Sequence, residues 1–124
     1  MAYSVDAKNS MLAHHVGKAS PSHTVTHLSI HNGDPEPGGA NEISGNGYER
    51  WAVTEANFKA VTGGEALTAA DHEFSGPVEQ AVTHFGTWDG ATWLGGGTLT
   101  GDLAFNAEGK LILQENTRLD LNAA

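Results

Sequence analysis

Glycine interrupts this chain at intervals too short for long helices. Sixteen glycines fall among 124 residues. Many lie in clusters: Gly38-Gly39, Gly63-Gly64 and Gly95-Gly96-Gly97. Each cluster favours a turn, because glycine reaches backbone angles closed to other residues and weakens a helix or strand interior. One segment near the N-terminus escapes this punctuation. The rest is a run of short segments in which apolar and polar residues alternate, the period of strands. The expected class is mainly β, an antiparallel β-sandwich or barrel with one short N-terminal helix. The length fits a single domain over residues 1–124 that buries roughly two-thirds of its unfolded surface.

The helix is expected at about 5–18. Ser4 is placed to cap its start and Gly17 to end it. Met11, Leu12, His15 and Val16 share one face at helical spacing, the face by which so short a helix would dock. Ser20-Pro21-Ser22 is a break, and a β body of about 23–122 follows. Thr24–His31 reads as a half-buried strand with Leu28 and Ile30 inward. A Pro- and Gly-rich loop, 32–47, comes next. It is longer than a hairpin turn, so it is functional or packed on the body, and Pro35 and Pro37 favour an ordered course. Tyr48–Phe58 reads as a strand, with Tyr48, Trp51 and Val53 in a core or interface. Glu65–Ala70 is too short to read as a helix. His72–Phe74 is a short strand. Glu79–Trp88 is a stronger one, turned at Asp89-Gly90 into Thr92-Trp93-Leu94. Leu99–Phe105, Lys110–Leu113 and Arg118–Asn122 complete an expected meander.

Charge narrows the partners. The formal net charge is −9, and the basic residues Lys8, Lys18, Arg50, Lys59, Lys110 and Arg118 are scattered. Nucleic acid and anionic membranes both select clustered positive charge, so neither is an expected partner. No cysteine is present, which excludes disulfides, zinc thiolates and thiol catalysis. Met1–Lys8 lacks the apolar run of a signal peptide, and no stretch reaches the ~20 apolar residues of a membrane span. Synthesis and folding in a cytoplasm are expected.

Chemistry has few footholds. His23, His27 and His31 recur every fourth residue, but their neighbours favour a strand, on which imidazoles at that spacing diverge. His14-His15 suit the negative end of a helix. Asp34, Glu36, Asn41 and Glu42 offer oxygens to Ca²⁺ at a spacing unlike an EF-hand loop, and they read equally as turn formers. Asp71-His72-Glu73 and the pair His84 and Asp89 fit no known acid–base pattern, and no nucleophile elbow, P-loop or H-E-x-x-H motif occurs. Trp51, Trp88 and Trp93 supply a sugar-stacking platform on one reading, and core or interface area on the other. No catalytic residue, metal or cofactor is expected, and the chain does not read as an enzyme.

Three runs stand in order: His31–Pro35, then Asn41-Glu42-Ile43-Ser44-Gly45-Asn46-Gly47-Tyr48-Glu49-Arg50, then His84-Phe85-Gly86-Thr87-Trp88-Asp89. Together they resemble a family of small tailed-phage virion proteins, labelled tail-fibre or minor structural proteins. The resemblance implies a β-sandwich-like structural protein, made in the bacterial host cytoplasm and carried on the virion. It would sit in multiple copies on the tail or capsid surface. Its partners would be a tail or major capsid protein and further copies of itself, as a homo-oligomer or repeated lattice. The alternative is a carbohydrate-binding adhesion module at the tail tip. Candidate interface or packing residues are Met11, Leu12, Asp34, Pro35, Asn41, Glu42, Tyr48, Arg50, Trp51, His84, Trp88 and Trp93. One departure is Gly95–Thr100, where related chains carry a more apolar strand. A second is the lack of any fibre repeat, so the chain is not itself a long trimeric fibre.

Overall fold

The computed structural model describes residues 1–18 and 22–121. In chain order the elements are β1 (Ala2–Tyr3), α1 (Val5–His15), β2 (His27–His31), β3 (Trp51–Ala52), β4 (Glu65–Leu67), β5 (His72–Ser75), β6 (His84–Asp89), β7 (Thr92–Thr98), β8 (Lys110–Leu113) and β9 (Arg118–Asp120). A five-stranded antiparallel sheet runs β1-β7-β6-β2-β3, and two ribbons, β4-β9 and β5-β8, accompany it. The β-sandwich expectation holds in this form. The barrel alternative does not, because β1 and β3 end the large sheet without pairing to each other.

The core follows from strand alternation. Ile30 and Phe85 face each other across β2 and β6. They cluster with Leu28, Phe74, Val82, Phe105, Leu111 and Leu113, all buried. Burial of each such side chain stabilises the fold by about 1.5–3 kcal/mol.

Several expectations need correction. Helix α1 begins at its Ser4 cap, whose Oγ accepts from Ala7 N at 3.1 Å. It ends at His15, not 18, with Gly17 at φ +75° just beyond. It buries Ala7 and Ser10 rather than Met11, Leu12, His15 and Val16, and Ser10 Oγ accepts from Ser22 N and His23 N at 2.8 and 3.2 Å, which fixes that side of the helix inward. The β body starts before the helix, at β1, which pairs with β7. Strand β2 is shorter than Thr24–His31. In the break 20–22, Ser20 and Pro21 lie outside the described residues, as does Asn122 of the last expected strand. Tyr48–Phe58 contributes only Trp51–Ala52, since Thr54 then starts a 3₁₀ turn, Glu55–Asn57, with Asn57 Oδ1 accepting from Thr54 N at 2.8 Å. Glu79, at φ +59°, sits in a turn closed from Pro77, so that strand starts at His84.

The terminal meander is also revised. Strands β8 and β9 pair with β5 and β4, far back in the chain, and not with each other. Leu99–Phe105 contributes one bridge, Ala81 to Ala104. The Gly95-Gly96-Gly97 triplet lies inside β7 rather than in a turn. Its glycines answer crowding. A Cβ on Gly97 would come within 2.9 Å of the Phe85 ring, and one on Gly96 within 3.0 Å of Pro35 Cγ.

Candidate functional site

The face of the large sheet turned away from the core carries the signature residues. Register places Ser29 opposite Gly86, His31 opposite His84 and His27 opposite Trp88. Across the β6–β7 hairpin, Trp93 faces Trp88 and Gly96 faces Gly86. A strand with one wet face was expected at β2, yet Leu28, Ser29, Ile30 and His31 are all fully buried. Leu28 and Ile30 face the core, and the loop after β2 folds back over the other face, that of Ser29 and His31.

The loop is tied at its base as a short ladder. His31 bridges Glu42, Asn32 N donates to Asn41 O at 2.9 Å, and Ile43 N donates to Ile30 O at 3.0 Å. Inside the loop, Asp34 Oδ1 accepts from Glu36 N, and Asn41 Nδ2 donates to Asp34 O. Gly39 N and Ala40 N both donate to Pro35 O, and the Glu36–Pro37 peptide is cis. Gly39, at φ +80°, lies flat on the indoles, where a Cβ would come within 2.9 Å of Trp93 Cε3 and closer still to Trp88. No other residue fits there.

Beneath the loop the polar groups form a directed chain. Trp88 Nε1 donates to Ser29 Oγ at 2.8 Å. Ser29 Oγ is 2.7 Å from His31 Nε2, and His31 Nδ1 is 2.7 Å from the carbonyl of Ala40. A carbonyl only accepts, so Nδ1 carries the proton, and Nε2 accepts from the serine hydroxyl. Neutral histidine satisfies every partner in this chain. Burial, the largest cause, lowers the His31 pKa below its usual 6.5.

A second group clamps the loop's return. Arg50 Nε and Nη2 donate to Glu42 Oε2 and Oε1 at 2.9 and 2.8 Å, a bidentate pair. The Tyr48 hydroxyl donates to Glu42 Oε2 at 2.9 Å and accepts from Ile30 N at 3.0 Å. Burial raises the pKa of that hydroxyl above its usual 10.0, which keeps it a donor. The Arg50 guanidinium then lies 3.7 Å from the Trp88 ring centroid, a cation–π contact. Trp93 meets Trp88 edge-on at 5.1 Å and donates to Glu36 Oε1 at 3.1 Å.

Eight of the twelve candidate residues therefore converge: Asp34, Pro35, Asn41, Glu42, Tyr48, Arg50, Trp88 and Trp93. Trp51 stands apart, stacked on His72 at 4.2 Å. His84 is half-buried and bonds Thr83 Oγ1. Met11 and Leu12 are on the helix. Sequence reasoning missed Ser29, His31, Gly39, Gly86 and Gly96 as members of this cluster. The available signal was small residues at Gly86 and Gly96 set near tryptophans on paired strands. The other chemical readings dissolve into local bonds: His23 pairs with Asp89 at 3.1 Å, and Asp71 accepts from Glu115 N. Among the described residues no group of three or more His, Cys, Asp or Glu side chains is arranged to hold a metal ion.

Two results are expected from this geometry. Glu42→Ala leaves Arg50 and Tyr48 without their shared acceptor, and it should cost about 2–3 kcal/mol, the scale of hydrogen bonds to a charged group. Urea unfolding measures the loss, and faster cleavage of loop 32–47 by protease locates it. The second concerns pH. The unfolded chain takes up a proton on His31 below about 6.5, where the folded chain keeps the ring neutral. The unfolded state thus binds more protons, and this part of the stability is lost as pH falls from 6.5 through the lowered folded value. It is present in full above that window. His31→Gln should flatten the fall in urea midpoint between about pH 7.5 and about pH 5. An unchanged slope in the variant would assign the effect to other groups.

The sequence matches the family described as podophage GP4 fiber I protein gp80 over residues 2–118. No curated protein matches it significantly. The matched span contains the whole loop clamp and every signature run.

Proposed function

We propose that this chain, which belongs to the podophage GP4 fiber I protein gp80 family, is a non-enzymatic structural protein of a tailed-phage virion. In this reading it is carried in multiple copies on the tail or capsid surface, next to a tail or major capsid protein, after synthesis in the host cytoplasm. The family match over residues 2–118 is the observation that carries the reading. The geometry supports it, because the signature side chains satisfy one another and hold a long loop rigid. Such an arrangement offers a fixed outer rim, with Asp34, Pro37, Gly38 and Asn41 exposed, for contact with a neighbour. Basic side chains are committed locally: Arg50 to Glu42, Arg118 to Glu65 and Asp120, and Lys59 to Glu115. That leaves little for phosphate binding. A sugar-stacking surface needs open indole faces, and Trp88 and Trp93 are 6% and 8% exposed.

Quantitative mass spectrometry of gradient-purified particles tests the reading. The protein should be present in several copies per particle and should be labelled on the outside by antibody. Absence from intact particles would overturn the proposal.

A further inference from the structure

Loop 32–47 covers a buried imidazole, and the protonation state of that ring decides whether the cover fits. The Ala40 carbonyl accepts from His31 Nδ1 at 2.7 Å, Glu36 Oε1 accepts from Trp93 Nε1 at 3.1 Å, and Gly39 lies on the two indoles. At the base, Asn41 O accepts from Asn32 N. The sheet beneath is joined by other bonds. Register pairs His27–His31 with His84–Trp88 throughout, and Thr26 N to Trp88 O and Thr83 N to His31 O close the two ends. Lifting the loop breaks the first set and leaves the second.

A proton on His31 Nε2 acts on the first set. The ring then carries two N–H groups and has no acceptor left to offer. Ser29 Oγ, which already accepts from Trp88 Nε1, would have to accept from the ring as well and turn its own proton elsewhere. Among the described residues that hydroxyl has no further partner. A buried hydroxyl without an acceptor and a buried charge both destabilise the closed arrangement. The surrounding charges do not reverse this. Glu42, bridged to His31, favours the proton, but its carboxylate is engaged by Arg50. Arg50 itself and His84, opposite on β6, both oppose it. His27 shares the strand and pairs with Trp88, and Asp34 and Glu36 belong to the loop.

We propose that loop 32–47 is an acid-released cover: a proton on His31 Nε2 lifts it from β2 while the five-stranded sheet stays paired, and the Trp88 and Trp93 indoles are uncovered. The device is local. It differs from acid unfolding of the domain in which bonds open, and it holds whatever neighbour the loop rim meets.

Hydrogen exchange followed by NMR tests it in the full chain. The open ring titrates at its usual 6.5 and the closed ring resists the proton, so the open population should rise by up to about 30-fold from about pH 7.5 to about pH 5. The Asn32 amide and the Trp88 indole N–H should lose protection by up to that factor, once the pH dependence of the exchange chemistry is removed. The Thr26 and Thr83 amides should keep theirs. His31→Gln should abolish the dependence and His84→Gln should preserve it. Staying above about pH 5 keeps clear of ordinary carboxylate titration, which centres near about 4. Parallel loss at Thr26 and Thr83 would show that the proton unfolds the whole domain, and would overturn the proposal. So would unchanged protection at Asn32, or a dependence that follows His84 rather than His31. The comparison of Asn32 with Thr26 and Thr83 is made in the wild-type chain, so it decides even where His31→Gln fails to fold.

Discussion

Trp88→Ala should bring the protein close to its unfolding threshold. Replacing a buried aromatic by alanine costs about 3–5 kcal/mol, against a total of about 5–15 kcal/mol for a domain. Trp88 should fall at the upper end, because its ring is engaged on several sides. Arg50 lies over it at 3.7 Å, Trp93 packs on it edge-on, and its Nε1 donates to Ser29. Gly39, and with it the loop, rests on the same ring. Truncation opens a cavity, removes the donor that starts the Ser29–His31 chain, and leaves the Arg50 guanidinium uncovered. Trp88→Phe should lose less, since a ring remains and only the N–H donor is gone. Urea unfolding of both variants gives the two losses. A loss under about 1 kcal/mol for Trp88→Ala would show that the cluster does not hold the loop, since a buried tryptophan in such a role exceeds that several-fold.

Gly95→Ala should release the N-terminal strand. Gly95 sits at φ +140°, and a Cβ there would fall on the carbonyl oxygen of Ala2 and lie 2.8 Å from Tyr3 Cα. Both obstacles are backbone and cannot rotate away. The β1–β7 pairing of Ala2 with Gly96 and Tyr3 with Gly95 then has to separate. With it would go the contact of the Met1 amine with Asp120 Oδ1, at 3.0 Å, and the bond from Ser4 N to Leu94 O that seats the start of α1. Backbone strain and overpacking each cost about 1–3 kcal/mol, so a combined loss of about 2–5 kcal/mol is expected. Calorimetry should show a lower Tm, and the first turn of α1 should exchange its amide protons faster. A variant with wild-type Tm and an intact β1 would contradict the close approach.

Local signals in the sequence were legible where neighbouring residues decide the outcome. Ser4 capped the helix as its position required, and Gly17 lay just past the end. Leu28 and Ile30 entered the core because alternation separates the faces of a strand. The hairpin after Asp89 formed where Gly90, at φ +55°, could turn the chain. His72–Phe74 and Lys110–Leu113 were recognisable as strands, but their pairing with each other was not. That pairing joins segments some forty residues apart, and nothing local in either segment specifies the partner.

The same limit explains the glycine triplet and the candidate site. A glycine has no side chain, so it suits a turn and a crowded strand equally, and only the neighbour decides. At Gly95, Gly96 and Gly97 the neighbours are β1, Pro35 and the Phe85 ring. Ser29 and His31 read as the wet side of a strand because the loop that buries them lies later in the chain and returns over them. Local residue pattern set the β class, the helix cap, the inward face of β2 and the order of the signature runs. Each of these depends on residues within a turn or a strand of one another. Tertiary structure decided which glycines pack rather than turn, that the polar face of β2 is sealed by the Glu42–Arg50–Trp88 clamp, and that α1 docks through Ala7 and Ser10. Those outcomes depend on shape and distance between segments far apart in the chain, which local preference does not encode.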